Sequence, residues 1–248
     1  MAQPHPLDLL LRQLSGHGPL DDADRDAIFA LPCTVRSYDA HGYIVREGDA
    51  PGSCMVLLSG FAYRQKTTHE GARQIVALHI PGDALDLQNL YLDEADHSVQ
   101  ALTRAEIASI PRRDFQQLML ERRAVGRAAT VAMLVEASIA REWVLNVGRR
   151  NSRTRMAHLL CEFALRLEAQ GLAERYGYEL PMTQEQLADA LGLTPVHVNR
   201  TLKALELDGL ITRKGRSVGF PDWRRLREAA DFNQRYLHLG PQAEASAG

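Results

Sequence analysis

Residues 182–211 read MTQEQLADALGLTPVHVNRTLKALELDGLI, and this stretch decides the fold of the half of the chain around it. Thr183 precedes Gln186 by three positions, the spacing of a capping box, which predicts a helix running to Leu191. Leu187, Ala188 and Leu191 form its inward face. Gly192 supplies a tight turn, Thr194 caps a second helix, and Pro195 takes the first position, where a missing N–H does no harm. Val198, Leu202 and Leu205 make the buried face of that second helix. Val196, His197, Asn199, Arg200 and Lys203 then point outward. Two capped helices joined by a glycine turn are a helix-turn-helix. The outward set has the composition of a major-groove reader. Arg200 suits bidentate pairing with guanine, Asn199 or His197 a base edge or a phosphate, and Val196 a thymine methyl. Thr183, Gln184 and the open N–H groups beside them suit a phosphate.

Downstream, Leu210–Arg213 reads as a strand, Lys214-Gly215-Arg216 as a basic hairpin turn and Ser217–Phe220 as the return strand, which together form a wing. Lys214 and Arg216 at such a tip suit backbone phosphates. Asp222 caps a closing helix, and the chain from Gly240 onward has the composition of a disordered tail.

Upstream, Asn151 or Ser152 caps a helix carrying Met156, Leu159, Leu160, Phe163, Ala164 and Leu167 on one face. Before it lies a long helical stretch whose apolar positions Val125, Ala129, Ala132, Ile139, Trp143 and Val147 recur at three- or four-residue steps, with Glu136 in the same stripe. Such a stripe suits either a buried core helix or a seam between subunits. The seam is preferred, because this half of the chain has no second helix of comparable length to cover it. Val125, Ala129, Ala132, Glu136, Ile139 and Trp143 are therefore the expected dimer contacts.

From about Cys33 to Ile110 the pattern is one of short alternating runs. Candidate strands are Thr34–Tyr38, Tyr43–Arg46, Cys54–Leu58, Phe61–Lys66, Arg73–Ile80, Ser98–Leu102 and Glu106–Ile110, broken by Gly- and Pro-containing turns. Many short strands at regular spacing predict a jelly roll. Leu7, Leu10, Leu11 and Leu14 mark a helix before it, and Asp21 caps a second one ending near Phe29. The expected architecture is α+β. A roll with its N-terminal helices occupies 1–121, a long dimerisation helix 122–148, a winged helix-turn-helix 149–236 and a tail 237–248.

The whole chain of 248 residues is 45% hydrophobic with a formal net charge of −2, which by itself argues against a polyanion partner. Division at Gly148 changes that reading. Residues 1–147 carry 14 Lys and Arg against 19 Asp and Glu, and residues 148–248 carry 15 against 12. The basic rear half is the half that holds the helix-turn-helix. No apolar run reaches the roughly 20 residues of a membrane span, and the N-terminus lacks the basic and apolar regions of a signal peptide. The expected compartment is the cytoplasm. Cys33, Cys54 and Cys161 are too scattered for a disulfide framework or a zinc finger, and no metal site is expected.

A β-roll, a long helix and a winged helix-turn-helix in this order resemble the Crp/Fnr family of transcription regulators over about residues 10–232. The resemblance implies a cyclic-nucleotide-binding-like sensor domain and a homodimer bound to a pseudo-palindromic promoter site, with RNA polymerase as a further partner. It also places a ligand pocket at Asp86, Leu87, Gln88, His97, Ser98 and Arg141. The residues there depart from the cyclic-AMP-binding members. Asp86-Leu87 stands where a Gly-Glu pair is expected, His97-Ser98 where Arg-Ser holds the phosphate, and Ala140-Arg141 where a Thr-Ser pair faces the purine. A carboxylate without a paired Arg repels a phosphate. An iron–sulfur cluster needs clustered cysteines that the chain lacks, and for haem only His79 and His97 are of the right type. No cofactor is therefore expected, and the effector is not assigned. In the recognition helix, Pro195-Val196 departs from the polar readers of relatives, whereas Arg200 matches. Two rivals remain: a constitutive regulator without a ligand, and a cupin-like metalloenzyme built on Asp86 and His97 without a visible third ligand.

Overall fold

The computed structural model describes residues 5–174 and 176–239. Contacts divide it into two units, residues 5–66 with 77–137, and residues 67–76 with 138–239.

The first unit begins with helices α1 (Asp8–Gly16) and α2 (Asp22–Phe29). Asp21 caps α2 in a reciprocal box with Asp24. The roll follows as β1 (Thr34–Tyr38), β2 (Tyr43–Val45), β3 (Ser53–Ser59), β4 (Ala62–Thr67), β5 (Arg73–His79), β6 (Ser98–Ala101) and β7 (Ala105–Pro111). All seven expected strands are present, within one or two residues of their expected ends. They pair as a three-stranded sheet β1-β7-β3 and a four-stranded sheet β2-β6-β4-β5. Gly60, between β3 and β4, has φ +76°, and a Cβ there would lie 2.1 Å from the Arg104 carbonyl oxygen, so only glycine fits.

Strands β3 and β7 are buried on both faces, as the period of two allows. Leu57, Ala105 and Ile107 face the roll interior with Val45, Leu85 and Val99. Cys54, Val56, Ala108 and Ile110 face the other way, onto a helical layer. That layer is made by α1, by α3 (Arg112–Glu121) and by the first half of α4 (Arg123–Arg149), through Leu10, Leu14, Phe115, Leu118, Val125 and Ala129. A 3-10 turn at Leu87–Leu90, which the periodicity did not predict, adds Leu87 and Leu90 to the same core.

Helix α4 corrects the dimer assignment. Val125 and Ala129 are completely buried within their own chain, and Ala132 packs on the same core. Glu136 pairs with Arg64 of β4. Trp143 is buried and donates its indole N–H to Glu162. The layer formed by α1, α3 and the roll therefore covers the 125–132 part of the stripe, and Trp143 packs against α5 in the second unit. A different set of α4 residues is exposed. Thr130, Leu134, Ala137, Arg141, Val144 and Gly148 recur at alternating steps of four and three on the outward face. Leu134 is 63% exposed and Val144 74%.

In the second unit, Asn151 caps α5 (Ser152–Ala169) through the Thr154 N–H, and α5 is buried along most of its length. Strand β8 (Gly177–Glu179) leads into α6 (Gln184–Leu191), α7 (Pro195–Leu207), β9 (Thr212–Lys214), β10 (Ser217–Gly219) and α8 (Trp223–Ala229). The three strands form one sheet in the order β8-β10-β9. Leu210 and Ile211, expected in the wing strand, are instead buried ahead of it. A 3-10 turn at Gln234–Leu237 buries Tyr236 and Leu237, so the ordered chain extends past the expected start of the tail at 237. The tail from Gly240 onward lies outside the described residues.

Around α5 the buried polar groups are tightly packed. Both Glu162 carboxylate oxygens lie 3.1 Å from the Trp143 indole nitrogen, and the Tyr236 hydroxyl donates to the same carboxylate at 2.8 Å. Burial pushes the Glu162 pKa up, against the partial relief of Arg166. His158 is fully buried against Phe232 and Tyr236. Its Nε2 lies 3.2 Å from Glu142, but without hydrogen-bond geometry, and Arg150 holds that carboxylate at 2.7 Å. Burial first, and the nearby Arg150 charge second, push the His158 pKa down to about 3. Folded His158 is then neutral where the unfolded chain, with the ordinary value of 6.5, takes up a proton. Its contribution to stability is complete above pH 6.5 and is lost as pH falls toward 3, by up to about 1.4 kcal/mol per pH unit. Glu162 acts in the opposite sense, so the test is the difference between proteins. Urea midpoints followed from pH 7 to 4 should fall more steeply in the wild type than in His158→Gln, and parallel curves would refute the assignment.

Candidate nucleic-acid interface

The helix-turn-helix is built by its caps. Thr183 Oγ1 accepts from the Gln186 N–H at 3.2 Å, while the Thr183 N–H donates to Gln186 Oε1 at 2.9 Å. Helix α6 ends at Gly192 in the left-handed region, with φ +62°. Thr194 then accepts from the His197 N–H at 3.3 Å, with Pro195 at the first position of α7. Val198, Thr201, Leu202 and Leu205 bury one face of α7. That burial fixes the opposite face as the outward one.

The structure brings most of the expected readers together on that face. Thr194, Pro195, Val196, Arg200 and Lys203 are exposed, Val196 at 74%, while His197 and Asn199 are half-buried. Asn199 donates its amide N–H to Gln184 Oε1 at 3.2 Å, so the first turn of α6 and the recognition helix share one polar surface. His197, Arg200, Thr201 and Ala204 also line a hollow of about 330 Å³ with Ser152 and Arg153 of α5. Arg153 is paired with Asp208 at 2.6 Å. This contribution of α5 was not foreseen, because a residue 47 positions before Arg200 carries no local signal of proximity.

At the wing, Lys214 is exposed at the hairpin tip. Arg216 has a second task. Its guanidinium donates to the carbonyl oxygens of Pro181 at 2.5 Å and Leu180 at 3.4 Å, bracing the wing against the chain that enters α6. Gly215 makes the turn with φ +62°.

The expected ligand pocket divides differently. Asp86, Gln88 and His97 do come together: His97 Nε2 lies 2.9 Å from Asp86 Oδ1, and the Gln88 amide donates to the same oxygen at 3.2 Å. His97 Nδ1 faces Asp96 at 2.6 Å, and this contact holds the Asp96 carboxyl below its usual range. Leu87 instead enters the hydrophobic core, and Ser98 accepts the Glu47 N–H at 3.0 Å. Arg141 is exposed on the outward face of α4. Asp86 also has a cation near it, contrary to the expectation of an unpaired carboxylate. Arg64 supplies it: its Nη2 lies 3.6 Å from Asp86 and donates to the Leu85 carbonyl at 2.6 Å, while Nη1 pairs with Glu136. The other expected haem candidate, His79, is buried 3.7 Å from Asp83. Among the described residues no three His, Cys, Asp or Glu side chains are grouped to hold a metal ion.

Comparison with known proteins agrees with this geometry. The model of the Crp-like helix-turn-helix domain matches residues 154–229, and that of the cyclic nucleotide-binding domain matches residues 35–122. The chain is 34% identical over 199 residues to the transcriptional activator protein FnrL of Cereibacter sphaeroides, covering 79% of each chain. It is 24% identical over 222 residues to the transcriptional activator protein Anr of Pseudomonas aeruginosa, covering 90% of this chain and 91% of that one. Among solved structures, FixK2 of Bradyrhizobium japonicum superposes with a TM-score of 0.74 at 26% identity, covering 80% of this chain and 98% of that one. A roll on a long helix, a capped recognition helix with its basic face outward, and these likenesses over both halves place the chain in the Crp/Fnr family of DNA-binding transcription regulators, not among enzymes.

Proposed function

We propose that the protein acts in the cytoplasm as a homodimer that grips a two-fold-symmetric promoter site and presents it to RNA polymerase. The observation that carries the dimer is the outward stripe of α4. Its residues follow the four-three spacing of a coiled-coil seam, with Leu134, Ala137 and Val144 apolar, Thr130 at one end, and Arg141 as the charged position among them that sets register. No helix of the described residues is long and apolar enough to cross a membrane.

On DNA, each α7 enters the major groove, with Arg200 on a guanine and Val196 against a thymine methyl. Thr183, Gln184, Lys214 and the Arg216 charge lie along the phosphates. Substitution of Arg200 by alanine is expected to cost about 1–3 kcal/mol in operator affinity and to relax selection at one base pair per half-site. Binding measured against operators altered one position at a time checks this, and unchanged affinity with unchanged preference would refute the guanine contact. Salt must be held constant, since phosphate contacts dominate affinity.

The effector on this reading is not a cyclic nucleotide, and no haem or iron–sulfur cluster is required. Support comes from Asp86, a carboxylate where a ligand phosphate would lie, whose facing cation Arg64 already holds Glu136. Calorimetric titration with cyclic AMP is expected to show no heat of binding at millimolar ligand. Saturable binding would overturn this part.

A further inference from the structure

We propose that Arg64 is a positioning residue that sets the rotation of α4 and so decides which face of that helix meets a second copy of the chain. The proposal rests on the dimeric reading above and goes beyond it, because it assigns the setting of the seam to one side chain of the roll.

The apolar contact of α4 with its own unit is poorly suited to fix a rotation. It is made by Val125, Ala128, Ala129, Ala132 and Met133. Three of these five are alanines, which present a smooth surface, and hydrophobic contact is non-directional. A charge-assisted hydrogen bond is directional. Arg64 supplies one from β4, with its side chain 11% exposed.

Its guanidinium is fixed at the roll end before it reaches the helix. Nη2 donates to the Leu85 carbonyl at 2.6 Å and lies 3.6 Å from Asp86 Oδ1. Asp86 is itself held by His97 at 2.9 Å and by Gln88 at 3.2 Å, and His97 is held by Asp96. Nη1 then takes Glu136 as its only partner on α4 among the described residues. Removal of Glu136 would leave a mostly buried guanidinium with Asp86 as its one carboxylate.

Glu136 stands on the inward side of α4, off the outward stripe. At 100° per residue it is about 160° from Leu134 and about 100° from Ala137. A rotation of α4 that releases Glu136 therefore swings Leu134 and Ala137 away from their present outward positions. The ion pair also explains why a carboxylate interrupts an otherwise apolar stripe.

The test uses the full-length protein with Glu136→Leu and Glu136→Gln. Three quantities are read: the dimer dissociation constant by sedimentation, affinity for a two-half-site operator, and the thermal midpoint. Glu136→Leu is expected to raise the dimer constant and lower operator affinity at least tenfold, with the thermal midpoint held within a few degrees and single-half-site affinity unchanged. Glu136→Gln, which keeps an acceptor oxygen and remains foldable by size, is expected to fall between wild type and Glu136→Leu. A dimeric wild type whose Glu136→Leu and Glu136→Gln variants stay within twofold in dimer constant and operator affinity overturns the proposal alone. So does a loss of affinity matched by an equal loss for the single half-site. A wild type that stays monomeric overturns both this proposal and the dimeric reading.

Discussion

Leu134→Glu should leave the protein folded but monomeric, and should lower affinity for a two-half-site operator by about 10²-fold or more. The side chain is 63% exposed, so a carboxylate there stays in water in the isolated chain and neither unit loses packing. In a paired seam the same position meets its symmetry mate, and two buried carboxylates cannot both remain charged without a large desolvation cost. The second recognition helix then no longer binds at the effective concentration that the dimer provides. Sedimentation gives the oligomeric state, and a parallel titration with a single half-site isolates DNA contact from dimerisation. The single-half-site affinity should not change. A dimeric Leu134→Glu variant that binds the full operator within threefold of wild type would show that the outward face of α4 is not the seam.

Trp143→Ala is expected to lose about 3–5 kcal/mol of unfolding free energy, the cost of a large cavity in a packed core. The effect is compounded at Glu162. That carboxylate is buried, its pKa is raised by burial, and it loses the indole donor and keeps the Tyr236 hydroxyl. Trp143→Phe separates the two contributions. It retains most of the volume and removes the hydrogen bond, at about 1–3 kcal/mol for the orphaned acceptor. Urea unfolding of both variants measures the split. A loss below about 1 kcal/mol in Trp143→Ala would mean that the indole is a surface group, as an intersubunit position in a lone chain would be.

What was legible in the sequence is what local physics determines. The caps at Asp21, Asn151, Thr183, Thr194 and Asp222 are satisfied within three residues of themselves, so their side chains mark helix starts directly. The roll strands are delimited by glycine and proline turns that carry the same kind of local signal. The outward face of α7 followed from its buried one. The assignment of α4 failed for a non-local reason. Its sequence holds two apolar stripes on opposite faces, one through Val125, Ala129 and Trp143 and one through Leu134, Ala137 and Val144. Periodicity cannot say which of them its own chain covers. Glu136 within the first stripe was the available signal, since a lone carboxylate there calls for a cation, but its partner Arg64 lies 72 positions away. Strand β8 was missed because three residues acquire strand character only through pairing with β10.

The most direct test of a dimeric regulator reading DNA through α7 is selection of bound sequences from a random duplex library, at stated salt, followed by sequencing. The expected result is a two-fold-symmetric motif with half-sites about 10–10.5 base pairs apart, centre to centre, and a guanine in each that Arg200→Ala no longer enriches. An unsymmetrical motif, or no enrichment at all, would contradict it.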